Sequence, residues 1–255
     1  MNLLITRPSK TSREIARQLG ITYSIGGTNG RIENLIRWGT TANRNMRIDK
    51  QINTVEAIVK ASNKAEFRNL LREHNIPTIN EFNGRFPCVG RTAHHERGKG
   101  FFYCENDRDV RRARERGAIY FSDYYPKTKE YRIHVAGGKV LLFSEKLHTE
   151  PYRSSQTHVW NRRNGYTFRH LYRSDWLEND VLMDMQRSCK DAMELIGLDF
   201  GAFDVLAYPT THSLPPFAIC ELNTAPSLSP LALEKYIAYF KEAFEEEVEE
   251  DGEYI

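Results

Sequence analysis

Apolar residues recur along this chain with two periods, one typical of strands and one typical of helices. In chain order, the elements predicted in the first part are strand 3–5, helix 11–19, strand 21–25, an apolar run at 32–38 followed by a polar loop, and helices 54–61 and 64–74. Gly20 ends the first helix, and Asn63 and Glu66 have capping-box spacing at the start of the third. We expect a small N-terminal α/β unit, residues 1–60.

After residue 85 the pattern is mainly that of strands joined by turns. The predicted elements are strands 86–89 and 101–104, helix 108–116, strands 118–121, 130–135 and 139–143, helix 182–195, strands 198–208 and 216–222, and helix 231–247. Residues 152–173 interrupt this order, because they are rich in arginine, histidine and aromatic residues and show no clear period. Such a segment indicates a functional loop or lid.

The composition is typical of a soluble globular protein. Of 255 residues, 40% are hydrophobic and 27% are charged, and the mean hydropathy is −0.60. No apolar run approaches the roughly 20 residues that a membrane-spanning helix needs, and residues 1–10 lack the apolar stretch of a signal peptide. We therefore expect a cytoplasmic protein that does not interact with membranes.

The cysteines do not indicate a metal or disulfide framework. Cys88, Cys104, Cys189 and Cys220 lie far apart, and none has the spacing of a zinc-ligand pair. We expect reduced thiols, most of them in the core.

The net charge of +2 hides an uneven distribution. Residues 242–255 contain eight acidic residues and no basic one. Subtracting these eight from the 34 acidic residues leaves 26 against 36 basic residues in the rest of the chain. A basic body favours an anionic ligand, such as the phosphates of a nucleotide or of a nucleic acid.

Oxygen donors are concentrated on two neighbouring predicted strands near the C-terminus. Side chains alternate along a strand, so Glu221 and Asn223 share a face, and pairing of the two strands brings Asp204 beside them. Two carboxylates and an amide oxygen suit magnesium together with phosphate oxygens, whereas zinc usually recruits histidine or cysteine. Acids at strand ends are often only solvated, but acids placed among Phe, Val, Ile and Leu are costly to bury without a partner.

Cations and glycines upstream suggest a phosphate site. Arg91 follows an apolar strand and precedes a loop that ends in Gly98, Lys99 and Gly100. Glycines allow backbone amides to approach phosphate oxygens, although a glycine-bearing hairpin is more often only a turn. Two more cations, Arg132 and Lys146, follow on or next to apolar strands.

The order of these pieces resembles the ATP-grasp superfamily and its carboxylate–amine ligases over residues 60–240. The matching pieces are 87–91, the loop to Gly100, 119–121, 130–135, Lys146, 199–205 and the E-x-N-x-x-P signature at 221–226. The start of the chain, with residues 8–12 and 38–40, also resembles small ATP-grasp proteins encoded by tailed phages. If the chain is of that type, its location is the host cytoplasm.

The resemblance implies an α/β fold in which a nucleotide lies between two lobes, here residues 61–120 with the glycine-bearing loop and 121–255 with the magnesium site. The implied site residues are Tyr120, Phe121 and Asp123 at the adenine hinge, Gly98, Lys99 and Gly100 over the phosphates, and Asp204, Glu221 and Asn223 on magnesium. Arg91 stands where the family usually has a lysine. Lys146 matches a second triphosphate-binding cation, and Arg132 matches the arginine that faces the transferred phosphoryl group.

The implied chemistry is ATP-dependent activation of a carboxylate as an acylphosphate, followed by attack of an amine or a thiol. Both ATP and Mg²⁺ are required in such a reaction, and positioning and charge neutralisation supply most of the catalysis. The alternatives are an ATP-grasp phosphotransferase acting on a hydroxyl, an ATP-binding pseudoenzyme, and a basic nucleic-acid-binding protein. The last is suggested by the cations and aromatic residues between 153 and 173.

The second substrate is expected to be a small-molecule or peptide carboxylate, with an amine as acceptor. The segment 152–173 follows the Lys146 strand, so it is expected to emerge beside the phosphates. Arginine makes planar, two-pronged contacts to carboxylates, and Arg162 and Arg163 are therefore the candidate substrate-binding residues.

Overall fold

The computed structural model describes residues 1–42, 45–92, 100–150, 158–172, 174–175, 179–208 and 215–245. Its strands are β1 (Asn2–Thr6), β2 (Thr22–Ile25), β3 (Gly30–Trp38), β4 (Met46–Ile52), β5 (Cys88–Thr92), β6 (Phe101–Cys104), β7 (Ala118–Asp123), β8 (Lys129–Ala136), β9 (Lys139–His148), β10 (Tyr166–His170), β11 (Phe200–Ala207) and β12 (Phe217–Asn223). Its helices are α1 (Lys10–Leu19), α2 (Val55–Ser62), α3 (Lys64–Glu73), α4 (Asp107–Glu115), α5 (Asp180–Ile196) and α6 (Pro230–Glu245). The mixed α/β class predicted from the sequence is confirmed.

The N-terminal part forms a parallel four-stranded sheet in the order β2-β1-β3-β4. Ser9 caps α1 by accepting a hydrogen bond from the Ser12 backbone N–H, and Gly20 ends the helix in a left-handed conformation. The prediction of a polar loop after residue 38 is wrong, because it includes β4. This edge strand turns Arg47 and Asp49 to solvent, and these charges weaken its apolar pattern.

A five-stranded antiparallel sheet, ordered β10-β9-β8-β11-β12, forms the centre of the C-terminal part. One of its faces is apolar and packs against α2, α3 and α5. The buried residues that this face contributes include Tyr131, Ile133, Phe143, Phe203 and Val205. The other face carries the polar strand positions, and at Ala136 and Phe200 it also packs against α6 and Trp38.

A smaller antiparallel sheet, ordered β6-β5-β7, packs against α4. Cys88 and Cys104 lie opposite each other in its β5–β6 pair, and both are buried. The four cysteines are free thiols, and only Cys220 is partly exposed, as expected from the sequence.

Asn53 joins the N-terminal sheet to the five-stranded sheet. It is fully buried, with φ 65°, and its side-chain oxygen accepts hydrogen bonds from the backbone N–H groups of Asp199 (2.8 Å) and Phe200 (3.1 Å). In return, the Asn53 amide donates to the Phe200 carbonyl at 3.1 Å, and its backbone N–H donates to the Asp199 carboxylate. One side chain therefore fixes the start of β11.

The described part of the segment 152–173 is more ordered than the sequence predicted. A short 3-10 helix, Arg162–Asn164, precedes β10, which pairs with β9. The prediction of an irregular loop is therefore wrong over Tyr166–His170. The strand is short and largely exposed, so no buried face gives it a recognisable period. Residues 152–157 and 173 lie outside the described residues.

No helix in the described part of the chain has the length and apolar character needed to span a membrane.

Candidate functional site

A row of polar side chains crosses the face of the five-stranded sheet that lies opposite the apolar face. Strand register places His170 opposite Ser144, Ser144 opposite Arg132, Arg132 opposite Asp204, and Asp204 opposite Glu221. Directly opposite residues share a face of a sheet. The row therefore has one residue from each of the five strands, and we call it the polar row.

The strongest contact in the polar row joins Arg132 to Asp204. Arg132 donates two parallel hydrogen bonds, from Nε to Oδ1 (2.7 Å) and from an Nη to Oδ2 (2.8 Å). Burial alone would raise the pKa of Asp204, but the charges of Arg132 and Lys146 hold it well below its usual range. Both groups are therefore charged at neutral pH, and each neutralises the other in a largely dry environment.

Glu221 and Asn223 lie beside this pair. The Asn223 amide nitrogen is 3.4 Å from Glu221 Oε1, and the Glu221 carboxyl lies within hydrogen-bonding reach of Asp204. Lys64, from the first turn of α3, forms an ion pair with Glu221. The structure thus brings together the three residues that the sequence suggested for magnesium, and adds a lysine to them.

A second charged group lies one step along the same face. Glu130 forms ion pairs with both Lys146 and Lys127, and all three are largely buried. The Phe168 ring lies beneath two cations, with the Arg132 guanidinium 4.8 Å and the Lys146 ammonium 5.3 Å from its centroid. This ring orients the two cations side by side over the sheet.

Arg91 reaches the site from the smaller sheet. Its guanidinium lies 4.6 Å from the centroid of Phe101. Burial lowers the pKa of Arg91, whereas nearby charges, including those of Glu221 and Glu130, act in the opposite direction. Arg91 therefore lies near Glu221 of the polar row and near Glu130, and we call the space between the two sheets at this point the cleft.

The hinge residues do not all face this cleft. Tyr120 shares the cleft side with Arg68, whose Nη is 3.4 Å from the Tyr120 hydroxyl. Phe121 points to the opposite side of the sheet, where Arg114 stacks on it at 5.3 Å. Burial raises the pKa of Asp123, and its Oδ1 has no hydrogen-bond partner among the described residues. Only the Tyr120 side chain is thus brought close to the other candidates.

The end of the glycine-bearing loop is constrained by packing. Gly100 has φ 69°, and a Cβ built on it would lie 2.1 Å from the Thr92 hydroxyl oxygen, so a larger residue does not fit. Gly98 and Lys99 lie outside the described residues.

Arg162 and Arg163 are exposed on the short 3-10 helix before β10. Neither forms an ion pair with another residue in the described ranges. The structure therefore places them at the Tyr166 end of the edge strand β10, and no described contact joins them to the polar row.

Sequence reasoning missed several contributors to the site. They are Lys64, Arg68, Lys127, Glu130, Ser144, Phe168 and His170. Glu130 could have been found, because it lies two residues before Arg132 and so on the same face of β8. Lys64 and Arg68 have i,i+4 spacing and so share a face of α3. Arg68 is buried, and its guanidinium donates two hydrogen bonds to the Cys220 carbonyl, at 2.9 Å and 3.1 Å.

The donor set fits a hard cation bound together with phosphates. Among the described residues, no three histidine, cysteine or acidic side chains are grouped in a way that could hold a metal alone. Asp204, Glu221 and Asn223 supply two carboxylates and one amide oxygen, which are ligands that magnesium accepts when phosphate oxygens and water complete its shell.

Comparisons with known proteins support the fold. No protein-family model matches the sequence, and the search of curated proteins finds no significant match. Among solved structures, the macrocyclase MdnC of Microcystis aeruginosa MRC, bound to its precursor peptide MdnA, matches with a TM-score of 0.63 and 10% identity, over 95% of this chain and 100% of that one. D-alanine–D-alanine ligase from Bacillus anthracis with ATP matches with a TM-score of 0.64 and 12% identity, over 97% and 99% of the two chains.

A third match is the ATP-grasp ligase PsnB with a minimal precursor, with a TM-score of 0.61 and 12% identity over 93% of this chain and 98% of that one. The chain therefore has the ATP-grasp fold, as the resemblance of its motifs implied.

Proposed function

We propose that the chain is an ATP-dependent ligase that activates a carboxylate as an acylphosphate and transfers the acyl group to an amine. The observation that supports this most strongly is the polar row on an ATP-grasp sheet. It combines two adjacent carboxylates, a doubly hydrogen-bonded arginine and further cations, and Arg91 of the smaller sheet lies near Glu221. In this proposal residues 61–120 and 121–255 form the two lobes around the nucleotide, and residues 1–60 precede them.

The cations have distinct roles in the proposed reaction. Arg91 and Lys146 approach from opposite sides of the cleft and would bind triphosphate oxygens. Arg132 would face the transferred phosphoryl group, where charge develops on the equatorial oxygens. Preorganised cations in a dry cleft stabilise that charge without needing to reorient, so a serine or cysteine nucleophile is not required.

Asp204, Glu221 and Asn223 would hold Mg²⁺. Bound there, the metal would supply charge neutralisation between phosphate oxygens. Asp204 is suited to this role because the cations around it keep its carboxylate ionised, as metal binding requires.

The remaining candidate residues would bind the adenine, the phosphates and the second substrate. In this proposal the adenine lies near Tyr120 and the hinge that ends at Asp123. Phe121 would contact the adenine through its backbone, because its ring faces α4. The loop with Gly98, Lys99 and Gly100 would cover the phosphates. Arg162 and Arg163 would contact the acceptor carboxylate, and their exposed positions favour a large substrate over one enclosed in the cleft.

A peptide is the substrate class with the most direct support. MdnC and PsnB were each solved with a precursor peptide. In this chain the exposed Phe168 ring lies beside Arg132 and Lys146, and Arg162 and Arg163 are exposed just before the same strand. These groups fit a peptide that presents an acidic side chain as the carboxylate.

The test is a screen for ADP and inorganic phosphate released from MgATP. Acidic peptides, free amino acids and small carboxylates are combined with primary amines, and products are identified by mass spectrometry. We expect a condensation product together with equal amounts of ADP and phosphate, and no turnover by Glu221→Gln. ADP formed without free phosphate, with a phosphorylated hydroxyl in the product, would establish the phosphotransferase instead.

A further inference from the structure

Each carboxylate proposed for magnesium is held by a cationic side chain of this protein. Arg132 binds both oxygens of Asp204, and Lys64 forms an ion pair with Glu221. Lys64 is partly accessible, with about a quarter of its side chain exposed, whereas Arg132 is more deeply buried. The two cations therefore occupy the carboxylate oxygens that a divalent ion would need.

The described charges of the cleft do not balance. Six cationic side chains lie there with three carboxylates: Lys64, Arg68, Arg91, Lys127, Arg132 and Lys146, with Glu130, Asp204 and Glu221. An excess of positive charge repels a divalent cation and attracts a polyanion such as a triphosphate. The electrostatics of the cleft therefore favour entry of the nucleotide over entry of the metal alone.

We propose that Lys64 is an exchangeable counter-cation that makes metal binding at Glu221 depend on the nucleotide. In the nucleotide-free protein its ammonium neutralises Glu221. When phosphates enter, Lys64 transfers from Glu221 to phosphate oxygens, and the carboxylate becomes available to a divalent ion. This inference rests on the proposed nucleotide site, and it assigns Lys64 a role in coupling two ligands.

Thermodynamic linkage makes the proposal quantitative. If bound nucleotide raises the affinity for metal by some factor, then metal raises the affinity for nucleotide by the same factor. Removing the Lys64 charge should act on both sides of this coupling. The nucleotide-free protein should bind metal more tightly, and the metal-free protein should bind nucleotide less tightly.

The experiment measures Mn²⁺ binding by electron paramagnetic resonance and binding of the non-hydrolysable nucleotide AMPPNP by calorimetry, each with and without the other. Lys64→Met is compared with Lys60→Met, a matched change at an exposed lysine on the neighbouring helix α2. Lys64→Arg retains the charge and is expected to retain most of the coupling. Because Mn²⁺ also binds AMPPNP in solution, the coupling is compared between variants, to which that complex contributes equally.

We expect wild type and Lys60→Met to bind Mn²⁺ weakly alone and at least about tenfold more tightly with AMPPNP. In Lys64→Met, nucleotide-free Mn²⁺ affinity should rise severalfold, AMPPNP affinity should fall, and the coupling should shrink. Wild-type coupling retained in Lys64→Met would overturn the role of Lys64 while leaving the nucleotide site intact. Absence of AMPPNP binding in the folded wild type would overturn the proposed function as well.

Discussion

Two aspartates, one on β11 and one next to it, have pKa shifts of opposite sign. Asp199 immediately precedes β11, at the junction with the N-terminal sheet, and its carboxylate accepts from the Asn53 backbone N–H. Burial raises its pKa, which the hydrogen bonds offset only in part. Asp204 lies in the middle of β11, and despite its burial the charge of Arg132 keeps its pKa below the usual range.

The difference shows that the charge of the partner decides the sign of the pKa shift, because desolvation alone would raise the pKa of both acids. Neutral amide donors hold Asp199 in place without compensating its charge, and this suits a junction between two sheets. A guanidinium compensates the charge of Asp204 and keeps it ionised, and this suits a site for anionic substrates and a divalent cation. The surroundings of Asp199 are therefore a structural junction, and those of Asp204 are a charged site. Four predictions test this distinction.

The largest effect is expected from breaking the Arg132–Asp204 pair. Arg132→Met should leave the Asp204 carboxylate buried without its main partner, and such a loss typically costs about 3–5 kcal/mol. The free energy of unfolding is measured by urea titration at pH 7.

Asp204→Asn is the companion variant, and the double variant closes the cycle. Because the double variant leaves no charge unpaired at this position, it should be more stable than Arg132→Met alone. Equal stability of these two variants would mean that the pair is not the source of the loss.

The junction between the two sheets should be the region whose stability is next most sensitive to substitution. Asn53→Ala removes the side-chain bonds to Asp199 and Phe200 and places alanine at φ 65°, and we expect a loss of about 2–4 kcal/mol. Glycine adopts this φ without strain, so Asn53→Gly measures the loss of the side-chain hydrogen bonds without the backbone strain. Asn75→Ala, at an exposed asparagine with φ 57°, is the matched control and should cost less. A loss at Asn75 as large as at Asn53 would assign the effect to backbone conformation alone.

The pH dependence of stability should have opposite signs in the two regions. The pKa of Asp204 is lowered on folding, so its contribution is present above the ordinary pKa near 3.8 and is lost as the pH falls through the folded value. The pKa of Asp199 is raised, so its ionisation costs stability as the pH increases through its folded value.

Unfolding of wild type, Asp204→Asn and Asp199→Asn between pH 3 and 7 measures these contributions. Towards low pH, the free energy of unfolding of wild type should fall relative to that of Asp204→Asn. Over the same range it should rise relative to that of Asp199→Asn. Slopes of the same sign for both comparisons would contradict the assignment of the two partners.

The sequence could predict that the three candidate metal ligands lie together, because they are on elements with a strong apolar pattern. Asp204, Glu221 and Asn223 are embedded in β11 and β12, where alternation fixes the face and one pairing step brings them together. The first five helices also have a clear apolar period, and each begins and ends within two residues of its predicted bounds. Their capping residues, such as Asn63 before α3, are local signals.

Contacts between distant segments could not be predicted in this way. Lys64 meets Glu221 only because α3 packs beside β12, and 157 residues separate the two. Likewise β4 and β10 are edge strands. Charged residues on the outer face of β4 conceal its period, and β10 is short and largely exposed. Local pattern thus predicts which face a side chain occupies, whereas the partner across the cleft depends on tertiary packing.

The smallest effect is expected at the end of the polar row formed by Ser144 and His170. His170 connects two hydroxyls there, with Nδ1 2.9 Å from Ser144 Oγ and Nε2 3.2 Å from Ser229 Oγ. Ser144→Ala removes one of these hydrogen bonds and leaves no buried charge unpaired, so the loss should be about 0.5–1.5 kcal/mol. If the row depends mainly on charge, the variant should retain the AMPPNP affinity of wild type. A loss comparable to that of Arg132→Met would show that geometry along the whole row, and not the ion pair, holds the site together.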